Sequence, residues 1–135
     1  MPFVDTNILL YAVCPGADER AKAEQARAIL RRDDLTLSVQ VLQEFYVQVT
    51  RPTRVHPVLH HEAATLIGLW LRFQIVELSV PLMLAALRLM ERYHTSYWDA
   101  AILAAAATAG CSELLSEDLN PGQSYDGVRI VNPFV

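Results

Sequence analysis

The chain has 135 residues, 53% hydrophobic and 19% charged, with a formal net charge of −4. That length suits one compact domain, residues 1–135, with a real core. The acidic balance excludes a protein that coats duplex nucleic acid through a strongly basic surface. The longest apolar run, Ala100 to Ala107, is well short of the roughly 18 residues that a spanning helix needs.

Phe3 and Val4 read as the end of a short buried strand, with Asp5 at its carboxyl edge and a short helix over 8–13. Asp18 opens the first long amphipathic pattern, with Ala21, Ala23, Ala26, Ala28, Ile29 and Leu30 set against Glu24, Arg27, Arg31 and Arg32. Asp33-Asp34 breaks it, and Leu35-Thr36-Leu37 is a short strand. Ser38 is an N-cap type before a helix running to about Arg51, stopped by Pro52. Pro57 suits the first turn of a third helix, with Ala63, Leu66, Ile67, Trp70 and Leu71 as its buried stripe. Ile75 to Leu78 reads as a strand, and Ser79 and Pro81 open a fourth helix to about Arg92. Ser96 starts a fifth, closed by Gly110 as a left-handed cap. Glu113 to Ser116 is the next strand, 117–126 a polar loop, and 128–131 the last strand. Strands alternating with helices predict an α/β fold: a central, mostly parallel sheet of about five short strands with helices on both faces.

Four acids stand out. Asp5 follows the first strand, where α/β proteins place ligands, although Asp is also an ordinary helix cap. Glu44 lies in a helix that is apolar almost all round, with Val39, Val41, Leu42, Phe45, Tyr46, Val47 and Val49. A carboxylate there needs a donor, a charge or a metal unless it points to solvent beside Gln40, Gln43 and Gln48. Asp99 has capping-box spacing from Ser96. Asp118 lies just beyond the strand that ends at Ser116, with Glu117 as an alternative. Carboxylates gathered at one sheet edge repel unless a divalent cation sits among them. Mg²⁺ and Mn²⁺ prefer such oxygen ligands. Zn²⁺ does not fit, because His56, His60, His61 and His94 have no ligand spacing, and His60 and His61 read as surface residues. Cys14 and Cys111 make no disulfide framework and read as two small buried hydrophobes in a reducing cytoplasm. The amino-terminal stretch has no basic region of the secretory kind, so a cytoplasmic location is expected. Arg supplies ten of the eleven basic residues, Lys22 being the exception.

Val4-Asp5-Thr6-Asn7, Glu44 in its apolar helix, Trp98-Asp99-Ala100-Ala101-Ile102-Leu103-Ala104-Ala105-Ala106 and Leu115-Ser116-Glu117-Asp118 occur in that order. Together they resemble the motifs of the PIN-domain ribonucleases, and among these the VapC toxins of toxin–antitoxin pairs. The resemblance covers the whole chain and implies a PIN-like, three-layer α/β/α fold. It maps the family's acidic quartet onto Asp5, Glu44, Asp99 and Asp118, as catalytic residues and as ligands of Mg²⁺ or Mn²⁺. Thr6, Asn7 and Ser116 would support them as hydrogen-bond donors. The polar loop with Pro121-Gly122 after Asp118 departs mildly from a pattern that often has an aromatic sooner.

The implied reaction is metal-assisted hydrolysis of RNA. The implied partners are a cognate antitoxin and a second copy of the chain in a homodimer, with no membrane. RNA contact by Arg20, Arg51 or Arg54 is compatible with the sequence, as is plain surface solvation. A Mg²⁺-dependent phosphatase or phosphotransferase on a doubly wound sheet is one alternative; Asn7, where several of those enzymes have a second Asp, counts against it. A non-catalytic PIN-like binding module is the other.

Overall fold

A computed structural model describes residues 1–135. In chain order the elements are β1 (Phe3–Val4), α1 (Thr6–Val13), α2 (Arg20–Leu30), β2 (Thr36–Ser38), α3 (Val39–Val49) and α4 (His60–Trp70), followed by β3 (Gln74–Val76), α5 (Val80–Tyr93), α6 (Tyr97–Thr108), β4 (Glu113–Leu115), β5 (Ser124–Tyr125) and β6 (Val128–Val131). The sheet order is β3-β2-β1-β4-β6-β5. Neighbours pair in parallel except β5 and β6. The result is the expected α/β/α arrangement with six strands rather than about five.

β1 sits in the middle, its Phe3 opposite both Thr36 and Leu114 and its Val4 opposite Leu115. Covered on both faces and paired on both edges, it reads as apolar residues without alternation. α6 lies against β2, β4 and β6, and α5 packs along α6. Ala100 to Ala106 are all buried there, because a helix apolar on every side is enclosed on every side. Short alanine side chains let those neighbours approach closely. No helix is long and apolar enough to cross a membrane.

Side-chain caps place most helix starts as expected. Ser38, Ser79 and Ser96 each accept the backbone N–H three residues on, from Val41, Leu82 and Asp99. Gly110 adopts the left-handed conformation after α6 (φ 76°).

Several boundaries differ from expectation. α1 starts at Thr6 rather than Ile8, and β3 spans Gln74–Val76 rather than 75–78. α2 starts at Arg20 rather than Asp18, without a side-chain cap. α4 starts at His60 rather than Pro57, because the Val58 N–H donates to the Val49 carbonyl and Glu62 accepts from the Leu59 N–H. The segment before His60 thus closes α3 instead of opening α4. The loop over 117–126 also contains β5, which forms a hairpin with β6 across Asp126-Gly127. Both turn residues have positive φ (50° and 87°), as a tight hairpin requires. The Tyr93 hydroxyl donates to Asp126 Oδ1 (2.9 Å) and accepts from its N–H (3.0 Å), which fixes the turn against the end of α5.

Candidate active site

The order of strands reverses between β1 and β4: from β1 the chain builds outward through β2 and β3, then returns to add β4 on the other side. In open α/β sheets a crevice forms at the carboxyl ends of the strands on either side of such a point. Asp5 follows β1 there, and Ser116, Glu117 and Asp118 follow β4. α6 leads into the parallel strand β4, so its first turn, with Asp99, returns to the same edge. α3 starts directly after β2 and carries Glu44 one and a half turns in. A cleft of about 560 Å³ opens here, lined by Asp5, Glu44, Asp99 and Asp118, with Thr6, Asn7 and Glu117. The four expected carboxylates, from four separate stretches of chain, face one space.

Hydrogen bonds tie three of them together. Asp5 caps α1: its Oδ1 accepts from the Thr6 N–H (2.7 Å) and its Oδ2 from the Ser116 hydroxyl (2.7 Å). Capping and lining the cleft are one arrangement, since the cap turns the carboxylate toward the sheet edge. The Ser116 oxygen accepts from the Asp118 N–H (3.1 Å) and from Asn7 Nδ2 (3.3 Å), and Asn7 Nδ2 also donates to Asp118 Oδ2 (3.0 Å). The Thr6 hydroxyl donates to Glu44 Oε1 (2.7 Å). Thr6, Asn7 and Ser116 therefore each touch a carboxylate. Asp99 stands apart from this set. Its N–H is capped by Ser96, but its carboxylate does not close the reciprocal half of a capping box.

Asp5 is 6% exposed. Burial pushes its carboxyl from an ordinary 3.8 up to about 6. The bonds from Ser116 and Thr6 work against that rise, and the charges of Asp118 and Glu44 add to it. No three of the chain's His, Cys, Asp and Glu side chains stand close enough together to enclose an ion as placed. The four carboxylates are spread round the cleft, and Asp5, Glu44 and Asp118 are held by neutral donors. The donor chemistry nonetheless fits a hard divalent cation. The set is all oxygen, Asp5 is a buried acid short of positive charge, and Asn7 Oδ1 is a buried acceptor with no partner.

Glu117 is placed differently from Asp118. Lys22 Nζ lies 3.0 Å from Glu117 Oε2, and the Tyr11 hydroxyl donates to its Oε1. Lys22 also lies over the Tyr11 ring, 4.9 Å from its centroid. Glu117 is thus neutralised at the edge of the cleft, while Asp118 is free of any cation. Sequence reading singled out neither Tyr11 nor Lys22 in this role, for they lie 106 and 95 positions from Glu117. Cys14, expected to be buried, is half-buried and lines the cleft, whereas Cys111 is buried; both are free thiols. Arg54 is the one basic residue lining the cleft, and its Nε donates to the Gln48 carbonyl at the end of α3 (2.7 Å).

A doubly wound sheet with an acid-lined crevice at its switch point describes a class of α/β proteins with a polar ligand site. The PIN domain family model matches residues 3–122, and the chain belongs to that family. No curated protein matches it significantly. Several solved structures share the fold. VapC20 of Mycobacterium tuberculosis, described as a toxin that cleaves the sarcin-ricin loop, is 19% identical over 87% of this chain and 92% of that one, with a TM-score of 0.68. A toxin–antitoxin complex from Klebsiella pneumoniae is 21% identical over 98% of each chain (TM-score 0.71). FitAB bound to a DNA fragment is 20% identical over 100% of this chain and 96% of that one (TM-score 0.71).

Proposed function

We propose that this PIN-domain chain, one unit over residues 1–135, is a metal-dependent ribonuclease of the VapC toxin type. It hydrolyses RNA phosphodiester bonds in the cleft at the switch point. The observation that carries this reading is the meeting of Asp5, Glu44, Asp99 and Asp118 in one cleft from four stretches of chain. Capping alone would not bring them there. Asp5, Glu44 and Asp99 would hold Mg²⁺ or Mn²⁺, directly or through water, and Asp118 would complete the set. When bound, such an ion lowers the pKa of the attacking water and offsets charge on the phosphate. Thr6, Asn7 and Ser116 fix the directions of the Glu44, Asp118 and Asp5 carboxylates, so the site is oriented before a ligand arrives.

The neighbouring structure described as a toxin–antitoxin complex supports an antitoxin partner, which on this reading would cover the cleft. A homodimer in the cytoplasm is the accompanying assembly. Large apolar side chains stay exposed on α4 (Leu69) and α5 (Met83, Leu84, Leu87), more than a lone surface would favour.

Incubation of the purified protein with total RNA tests the reading. Cleavage is expected with Mg²⁺ or Mn²⁺ and none with EDTA. Asp5→Asn and Asp99→Asn should lose activity while keeping the circular dichroism of the parent. Full activity in either variant would remove that acid from the site, and cleavage undiminished by EDTA would overturn metal dependence.

A further inference from the structure

A second depression of about 530 Å³ adjoins the carboxylate cleft, with Glu44 and Gln48 forming part of the wall of both. Gln40, Gln43 and Arg51 of α3 and its end line one side, and Trp98 at the start of α6 lines the other. We propose that this groove is a subsite for single-stranded RNA: Trp98 stacks on a base next to the scissile phosphate, and Arg51 holds a backbone phosphate. The inference rests on the ribonuclease reading of the adjoining cleft and adds to it how the strand is held.

Three observations and one general constraint converge. First, Trp98 is 63% exposed, although it carries one of the largest apolar side chains in the chain. Its backbone is anchored, and a neighbouring ring packs beside it. Gln40 Nε2 donates to the Trp98 carbonyl (3.2 Å), and the Tyr97 ring meets the indole edge-on at 5.1 Å. An exposed aromatic face suits base stacking, which any base can supply. Second, the groove presents the amides of Gln43 and Gln48, each able to donate and accept to base edges, while the buried Gln40 is engaged with the Trp98 carbonyl. Third, Arg51 and Arg54, like most of the chain's basic residues, take part in no ion pair. Arg51 borders the groove and Arg54 the cleft, so unpaired guanidinium groups flank an acidic centre in a chain of net charge −4. A polyanion can approach such a centre only with local cations of that kind. Fourth, stacking on Trp98 needs an unstacked base, which a single strand offers and a duplex does not.

The competing occupant is a second copy of the chain. Trp98 also borders an apolar depression with Leu78, Val80 and Met83. The glutamine-lined groove with its unpaired arginine is less like the core of a protein interface, where charge is depleted.

The chain has a built-in reporter. Of its two tryptophans, Trp70 is buried with its ring 4.8 Å from that of Phe45, so an emission change on RNA binding reads Trp98. In EDTA, a short mixed-sequence single-stranded oligoribonucleotide should quench the parent's emission, and Trp98→Phe should remove that response while keeping affinity near the parent's. By anisotropy of the labelled oligonucleotide, Trp98→Ala should raise Kd about tenfold or more. Arg51→Met should lower the slope of log Kd against log salt by about 0.7, the share of one phosphate contact on a single strand. If the parent cleaves RNA but Trp98→Ala and Arg51→Met bind the oligonucleotide like the parent, the subsite is overturned and the proposed function stands. If Trp98→Ala instead halves the mass in light scattering with RNA affinity unchanged, Trp98 belongs to a contact between copies and the subsite is overturned. If the parent neither binds nor cleaves RNA in Mg²⁺ or Mn²⁺, both readings fall together.

Discussion

Asp5→Asn, compared with the parent across pH in EDTA, isolates the charge that the fold accommodates least well. The Asp5 carboxyl is raised from 3.8 to about 6 by burial, with Asp118 and Glu44 adding their repulsion. The folded protein therefore holds this proton over a range in which the unfolded chain has already lost it. Stability must fall as pH rises through that window. The penalty is absent below pH 3.8 and complete above about pH 6. A shift of about two units corresponds to about 3 kcal/mol, and roughly half of that accrues between pH 5 and pH 8. The variant has no charge to lose at this position, so its stability should lack this component. A constant offset is expected as well. The introduced amide N–H would face a Ser116 oxygen that already accepts from Asn7 and Asp118, a mismatch that costs on the order of 1–3 kcal/mol. The difference in pH slope, not the absolute stability, is diagnostic. Urea denaturation of both proteins at pH 5, 6, 7 and 8 measures it. Equal slopes for parent and variant would refute the buried-charge account of Asp5.

Three further outcomes are expected. Glu44→Gln keeps an oxygen for the Thr6 hydroxyl, so it should fold like the parent, but Mg²⁺ or Mn²⁺ should raise its melting temperature less. An unchanged response across a metal titration would take Glu44 out of the metal set. Gly127→Ala puts a Cβ on a residue at φ 87° in the β5–β6 turn and should destabilise the fold by about 1–2 kcal/mol in urea melts; no loss would mean that the turn relaxes freely. Light scattering of the chain alone at micromolar concentration should give a dimer mass, and a monomer mass would count against the pairing of the exposed α4 and α5 faces.

Local chemistry is legible where one residue decides the outcome. Ser38, Ser79 and Ser96 announce α3, α5 and α6, since a side-chain oxygen before an apolar run satisfies an orphan N–H of the first turn. The unbroken apolar stretch of Ala100 to Ala106 announces a helix buried on all sides. Asp126-Gly127 is a dipeptide suited to a hairpin, but the sequence analysis reads 117–126 only as a polar loop, because β5 has just two residues, too few for any periodicity to mark a strand. The acids were legible one at a time, each with an ordinary capping or solvent role beside it. Their shared cleft comes from the reversal of strand order between β1 and β4, which places residues 5 and 118 at one edge although the whole fold separates them in sequence. The family resemblance already placed Asp118 ahead of Glu117, and the tertiary structure supplied the physical difference between them. The two are adjacent acids in the chain, yet Lys22 and Tyr11 reach one and Asn7 the other. Electrostatic partners are set by distance in space, and for side chains about a hundred residues apart only the packed sheet supplies it.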